Sequence, residues 1–226
     1  YYLITESIEG ITKDLPVLED PSKYAYYREE TGGLMIGLFE PDCKPWQLEG
    51  IPEDFSFGEL PPDWDRLTPF LEKAMERDPI ARETGIRKFF CGPESFTPDL
   101  APLVGETPEL RNCFVACGMN SLGILNGAGT GKVLAQWIVD GDPQIDVTGI
   151  NVNRFTRHEA TKAFRRDRGP ELLGKLFGQH YHNDGYETAR DLKRSVLHDR
   201  LAASGAWFAE GHGWEMPDWF APSPAE

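Results

Sequence analysis

Eight consecutive residues, Gly118-Met119-Asn120-Ser121-Leu122-Gly123-Ile124-Leu125, have the composition of a ligand-holding turn. A compact apolar run, Cys113-Phe114-Val115-Ala116-Cys117, precedes them. Asn126-Gly127-Ala128-Gly129-Thr130-Gly131-Lys132 follows, and Val133, Leu134, Trp137 and Ile138 then recur at helical spacing. The pattern predicts a buried strand, a tight Gly turn, and a helix whose first turn is rich in small residues. Such a helix start presents unpaired backbone N–H groups and a partial positive charge. Small residues also let a flat cofactor, or another backbone, come close. A Gly-rich helix packed on a sheet has the same composition, so at this level both readings stand. Two phosphate-binding patterns are excluded. The P-loop needs Gly where Asn126 stands and Ser or Thr where Val133 stands. In the G-x-G-x-x-G pattern the third Gly would have to replace Lys132.

Other reactive side chains give weaker signals. Cysteines stand at 43, 91, 113 and 117 with no C-x-x-C pair, which reads as small buried hydrophobes in a reducing compartment. His180-Tyr181-His182 has no third ligand at a diagnostic spacing, so a metal site is not the expectation. Arg28 reads as a surface strand residue or ion pair ahead of a ligand contact. The run from Arg154 to Arg168 is locally basic and predicts a solvated helix face rather than an anion site.

The elements that position these residues follow in order. Residues 1–40 read as strands, and Tyr1-Tyr2-Leu3-Ile4-Thr5 looks like a strand in mid-sheet. Residues 24–29 and 33–39 flank Glu30-Thr31-Gly32 as a hairpin. Residues 41–62 hold five prolines and read as an irregular loop pinned by Trp46, Phe55 and Phe57. Asp63 starts a helix to about Arg77, on which Trp64, Leu67, Phe70, Leu71 and Met75 share a face. A short strand over 86–90 leads to the turn Thr97-Pro98-Asp99. Residues 102–105 reach a second turn, and Gly141-Asp142-Pro143 ends the glycine-rich helix. Residues 151–200 read as charged and helical, with a last short helix over 199–208. The aromatic tail 211–220 is too apolar for a disordered end and predicts docking against a further domain.

The chain has 226 residues, 40% of them hydrophobic, which suits a packed core. A net charge of −14 argues against nucleic-acid and anionic-membrane surfaces. No apolar run reaches the length of a membrane span. With no initiator Met and no signal peptide, the chain reads as a piece of a longer protein.

Three blocks in order carry a family likeness: Cys91-Gly92-Pro93-Glu94-Ser95-Phe96-Thr97-Pro98-Asp99, the turn and helix over 118–132, and the closing segment 211–220. Together they resemble the sarcosine and dimethylglycine dehydrogenase family, whose relatives include the regulatory subunit of pyruvate dehydrogenase phosphatase. The resemblance implies an α/β (α+β) fold, the C-terminal part of a two-domain, D-amino-acid-oxidase-like FAD-dependent amine oxidoreductase with a mixed substrate sheet, plus a small central domain. It implies substrate sheet and helix over 1–90, closing FAD-domain strand and helix over 91–146, central domain over 147–207, and the start of a folate-binding aminomethyltransferase-like domain over 208–226.

The implied cofactors are FAD and, in a C-terminal domain outside this chain, tetrahydrofolate. The implied partners are a small N-methyl amine substrate and a protein electron acceptor of the electron-transferring flavoprotein type, with no nucleic acid and no membrane. Location would be cytoplasmic in a bacterium and the mitochondrial matrix in a eukaryote. The resemblance sets Gly118, Met119, Asn120, Ser121, Leu122, Gly123, Ile124 and Leu125 against the flavin pyrimidine edge. It also exposes departures. Met35 stands where related oxidases carry an oxygen-activating Lys, which favours a dehydrogenase. Gly92 stands where they carry a flavin-linking Cys; Cys91 is one step off and would face away. Leu125 stands where they carry a carboxylate-holding Lys. The alternative implied function is a non-catalytic phosphatase regulatory subunit of the same fold.

Overall fold

A computed structural model describes residues 1–182 and 184–222. By internal contacts the chain divides into two units, Tyr1–Pro93 with Leu173–Tyr181, and Glu94–Leu172 with His182–Glu226.

The first unit is built from β1 (Tyr2–Thr5), β2 (Leu18–Asp20), β3 (Ala25–Glu30), β4 (Gly33–Leu38), α1 (Trp64–Arg77) and β5 (Ile86–Phe90). They form a five-stranded antiparallel sheet in the order β2-β3-β4-β1-β5, so β1 does lie in mid-sheet. The β3–β4 hairpin turns on Thr31 and Gly32, both at positive φ, the geometry whose twist matches the flanking strands. All six residues of β4 are buried, as a strand covered on both faces requires. Gly37 is needed there, because a Cβ would sit 2.1 Å from the ring of Tyr26.

Helix α1 starts where the sequence predicts. The Asp63 side chain accepts from Arg66 N at 3.2 Å. Leu67 and Ala74 pack into the core with Leu3, Ile36 and Leu38. The Tyr27 hydroxyl crosses that core to Ala74 O at 2.8 Å. Aromatic rings run across the sheet: Phe90 on Tyr2, Tyr2 against Tyr26, Tyr26 on Phe39, and Phe39 on Phe177. Residues 41–62 are irregular, apart from an isolated bridge from Leu60 to Cys91, and Trp46 packs on Phe55. Phe57 is fully exposed and pins nothing.

The second unit holds β6 (Leu103–Glu106) paired antiparallel with β7 (Phe114–Cys117), then α2 (Gly123–Asp140), α3 (Lys162–Phe177, whose residues from Leu173 count with the first unit), α4 (His198–Ala203), β8 (Ala206–Gly211) and β9 (Trp214–Phe220). Gly141, at φ 75°, closes α2 by donating to Trp137 O at 3.0 Å.

Several expectations are corrected here. Residues 103–106 are a strand rather than a turn. Strand β7 is half-exposed rather than buried, because β6 is its sole strand neighbour among the described residues. The cysteines follow: Cys117 is exposed, and Cys43, Cys91 and Cys113 are partly so. Within 151–200 the α-helical residues are those of α3 and the start of α4. The last helix stops at Ala203, where Gly205 adopts φ 85°, and β8 begins. The aromatic tail is a strand, β9, turned back on β8 through His212 and Gly213. Within the segment 208–226, residues 223–226 lie outside the described residues.

Candidate functional site

The eight candidate residues lie together between β7 and the first turn of α2. Three successive features bend the chain. Gly118, Asn120 and Ser121 take φ of 63°, 50° and 67°. Left-handed backbone is costly for residues with a Cβ, and Asn tolerates it best. Asn120 is 2% exposed, and its side chain fixes the bend. Its Oδ1 accepts from Thr97 N at 2.7 Å, and its Nδ2 donates to Gly118 O at 2.7 Å. The Thr97 hydroxyl lies 3.2 Å from the same Oδ1 and 2.8 Å from Ala101 O. Gly118 cannot carry a Cβ without meeting Thr97 Cγ2 at 2.8 Å.

Helix α2 then begins without a side-chain cap: Leu122 holds the cap position and offers no acceptor. Its backbone bonds are Leu122 N to Met119 O at 3.0 Å and Asn126 N to Leu122 O at 2.9 Å. The first-turn N–H groups of Gly123, Ile124 and Leu125 therefore have no capping side chain, the condition in which an 18-residue helix offers donors and positive potential to a ligand. Ile124 is fully exposed, Leu125 is 77% exposed, and a Cβ at Gly127, Gly129 or Gly131 would meet nothing within 4 Å. An uncapped start, small residues and a left-handed bend held by a buried amide leave backbone donors open to a group that carries negative charge or acceptor oxygens.

Support comes from residues that sequence reasoning missed. Arg154 was expected on a solvated helix face, yet its side chain is 4% exposed. Its Nε and Nη2 donate to the two oxygens of Asp99 at 2.6 and 2.7 Å. It also donates to the carbonyls of Ala101 at 2.7 Å, Pro102 at 2.9 Å and Asn151 at 3.1 Å. Arg168 is 1% exposed and donates to Pro98 O at 3.2 Å and Thr188 O at 2.9 Å. It pairs with Glu210 at 2.5 Å and Glu171 at 3.2 Å. The rings of Tyr186 and Phe164 cover its guanidinium. Burial pushes the Tyr186 phenol upward, so it stays neutral. Arg154 lies outside α3, and no local pattern in the sequence sets it apart from the basic run that follows.

The positions where the chain departs from related oxidases have distinct surroundings. Met35 is buried in β4, opposite Ile4 and Arg28, and its sulfur receives the Tyr26 hydroxyl at 3.7 Å. Desolvation raises the Cys91 thiol, which disfavours the thiolate. Arg28 pairs with Glu30 at 2.8 Å on the surface, as expected of a strand residue.

Residues 1–137 match the family described as FAD dependent oxidoreductase, and residues 140–195 match its central domain, described as FAD dependent oxidoreductase central domain. The chain is 41% identical over 213 residues to 4-methylaminobutanoate oxidase (formaldehyde-forming) of Paenarthrobacter nicotinovorans, covering 94% of this chain and 26% of that protein. It is 40% identical over 223 residues to mitochondrial sarcosine dehydrogenase of Homo sapiens, covering 98% of this chain and 24% of that one. The crystal structure of L-proline dehydrogenase from P. horikoshii shares the fold at a TM-score of 0.52 and 20% identity, over 68% of this chain and 38% of that chain. The chain spans about a quarter of the length of the curated relatives it matches. It belongs to the FAD-dependent oxidoreductase family, with the D-amino-acid-oxidase-like α/β fold.

Proposed function

We propose, with family membership as the premise, that the protein containing this chain is an FAD-dependent dehydrogenase acting on the N-methyl group of a small amine such as sarcosine, dimethylglycine or 4-methylaminobutanoate. The turn over 118–125 is the observation that supports the flavin part of this reading, and the N-methyl amine follows from the relatives named above. Bound FAD would supply a hydride acceptor for the N-methyl carbon; water would then hydrolyse the substrate iminium to formaldehyde and the demethylated amine, or its one-carbon unit would pass to tetrahydrofolate in a further domain.

The chain's own residues bind and orient. Backbone N–H groups among Met119, Ser121, Gly123, Ile124 and Leu125 would hold the flavin pyrimidine edge. The start of α2 favours negative charge there by about 1–2 kcal/mol where partly buried. Asn120 would keep those donors in place, and Gly118 and Leu122 would shape the backbone. Met35 supplies no cation for oxygen, so electrons would pass to a protein acceptor of the electron-transferring flavoprotein type. Without an adenosine-binding strand–turn–helix, residues 1–226 alone would bind FAD poorly and be inactive. We place the protein in the cytoplasm of a bacterium or the mitochondrial matrix of a eukaryote.

The test is the full-length parent, examined for flavin absorbance and its anaerobic bleaching by each of the three amines. A flavin-loaded parent bleached by none would refute the substrate class. Leu125, where related oxidases hold a carboxylate with Lys, favours a second reading as a phosphatase regulatory subunit. That reading requires association with a pyruvate dehydrogenase phosphatase catalytic subunit, measured by pull-down.

A further inference from the structure

We propose that Arg154 and Asp99 are positioning residues for the flavin-facing turn, acting through Thr97 and Asn120; this rests on reading 118–125 as a flavin contact. The connection is continuous. Arg154 grips both Asp99 oxygens and the carbonyls of Ala101 and Pro102, so one guanidinium closes the loop over 99–102 from inside. Asp99 itself accepts from Ala101 N at 3.2 Å, and Leu100 sits at φ 60°. A leucine holds left-handed backbone where surrounding contacts over-determine it. Thr97 closes the same loop through its hydroxyl to Ala101 O, and its N–H donates to Asn120. Asn120 returns the connection to Gly118 O, inside the turn.

The geometry makes this connection stiff. Displacing Thr97 by about 1 Å takes its 2.7 Å bond to Asn120 beyond hydrogen-bonding range. The Asn120 oxygen and the Thr97 N–H would then be left buried without partners. The first-turn N–H groups of α2 move with that amide, because Met119 O and Leu122 O tie the bend to the helix. Asp99 and Asn120 lie in the part of the chain that matches the oxidoreductase, and Arg154 lies in the part that matches the central domain. The central segment thus supplies the side chain that sets the donors at the flavin edge.

The experiment uses the flavin-loaded full-length parent with Arg154→Lys, Asp99→Asn and Thr97→Val. Arg154→Lys keeps the charge and loses the fork, and Thr97→Val keeps the volume and loses the hydroxyl. Sulfite adds reversibly to oxidised flavin and places negative charge on the pyrimidine edge, so its affinity reports the donors there. We expect sulfite to bind about tenfold more weakly in the Arg154 and Asp99 variants, with the double variant no worse than either. Amide exchange over 119–125 should quicken while far-ultraviolet circular dichroism stays that of the parent. Flavin-loaded variants with the parent's sulfite affinity and exchange would overturn the inference alone. Global unfolding of all three variants would assign the pair to folding and overturn it as well. A parent without flavin would overturn the underlying reading, and this inference with it.

Discussion

Replacing Arg168 by Met should open the packing around α3 by about 4 kcal/mol. Arg168 is 1% exposed and faces the carboxylates of Glu210 and Glu171, which are themselves largely buried. Without it, the remaining described hydrogen bond to the Glu210 side chain is from Gly213 N at 3.1 Å. Breaking a buried ion pair from one side costs about 3–5 kcal/mol, because the surviving charge is desolvated and uncompensated. Loss of the stacked contact with Tyr186, 4.1 Å from the guanidinium carbon, adds about 0.5–1 kcal/mol. Met fills most of the vacated volume, so the cavity contribution is small.

Multidomain unfolding is not two-state, so the assay is native-state amide exchange in peptides covering 162–172 and 206–211. An opening cheaper by 4 kcal/mol accelerates exchange by about a thousandfold. The partner change decides the cause. Adding Glu210→Gln removes the stranded charge and should restore at least tenfold of that protection. Exchange within tenfold of the parent in Arg168→Met would refute the electrostatic argument. A double variant no better than the single would show that packing, rather than the stranded carboxylate, sets the cost.

Three further outcomes follow from the geometry. Tyr27→Phe removes the buried bond to Ala74 O, which keeps its helical bond from Asp78 N at 3.3 Å, so the loss in urea unfolding of the first unit should be only about 1 kcal/mol. Gly105→Ala should cost at least about 2 kcal/mol, because Gly105 sits at φ 121° and a Cβ would lie 2.6 Å from the Trp137 ring; near-ultraviolet circular dichroism of that indole checks it. Glu215 is held below its ordinary 4.5, first by the hydrogen bonds from Arg190 and then by that from Asp191 N. Its contribution is therefore complete above about pH 4.5 and is lost as pH falls through the lower folded value. Protection over 214–220, taken relative to the intrinsic exchange rate at each pH, should fall on acidification below pH 4.5, and Glu215→Gln should flatten that dependence.

Local signals carried much of this fold. The Thr31-Gly32 hairpin, the Asp63-capped helix and the Gly141 stop are each specified by residues within a few positions, and each lies where the sequence places it. Long-range pairing was the blind region. Residues 103–106 are a segment of only four positions between turns and become a strand only because β7 returns to pair with them. Likewise, β9 carries a Pro and five aromatic or acidic residues, and reads as a tail until β8 is recognised as its neighbour. The buried arginines were misread for the same reason. Arg154 meets Asp99 across 55 residues, and no local pattern announces a partner at that distance. In the candidate site the bend itself was legible from Gly118 and the small residues after it. The clasp of Thr97 and Asn120 that holds it was not, since both are common turn residues whose meeting depends on the tertiary fold.

The Arg154–Asp99 clasp also bears on inheritance. The two family matches meet between residues 137 and 140, in the last turn of α2. A crossover between related genes at that point would bring an arginine from one parent against a loop from the other. Chimaeras that keep both partners should retain the ordered loop, and those that inherit one alone would strand either a buried guanidinium or a carboxylate. Selection should therefore pass these two residues on as a linked pair, although 54 positions separate them from adjacency.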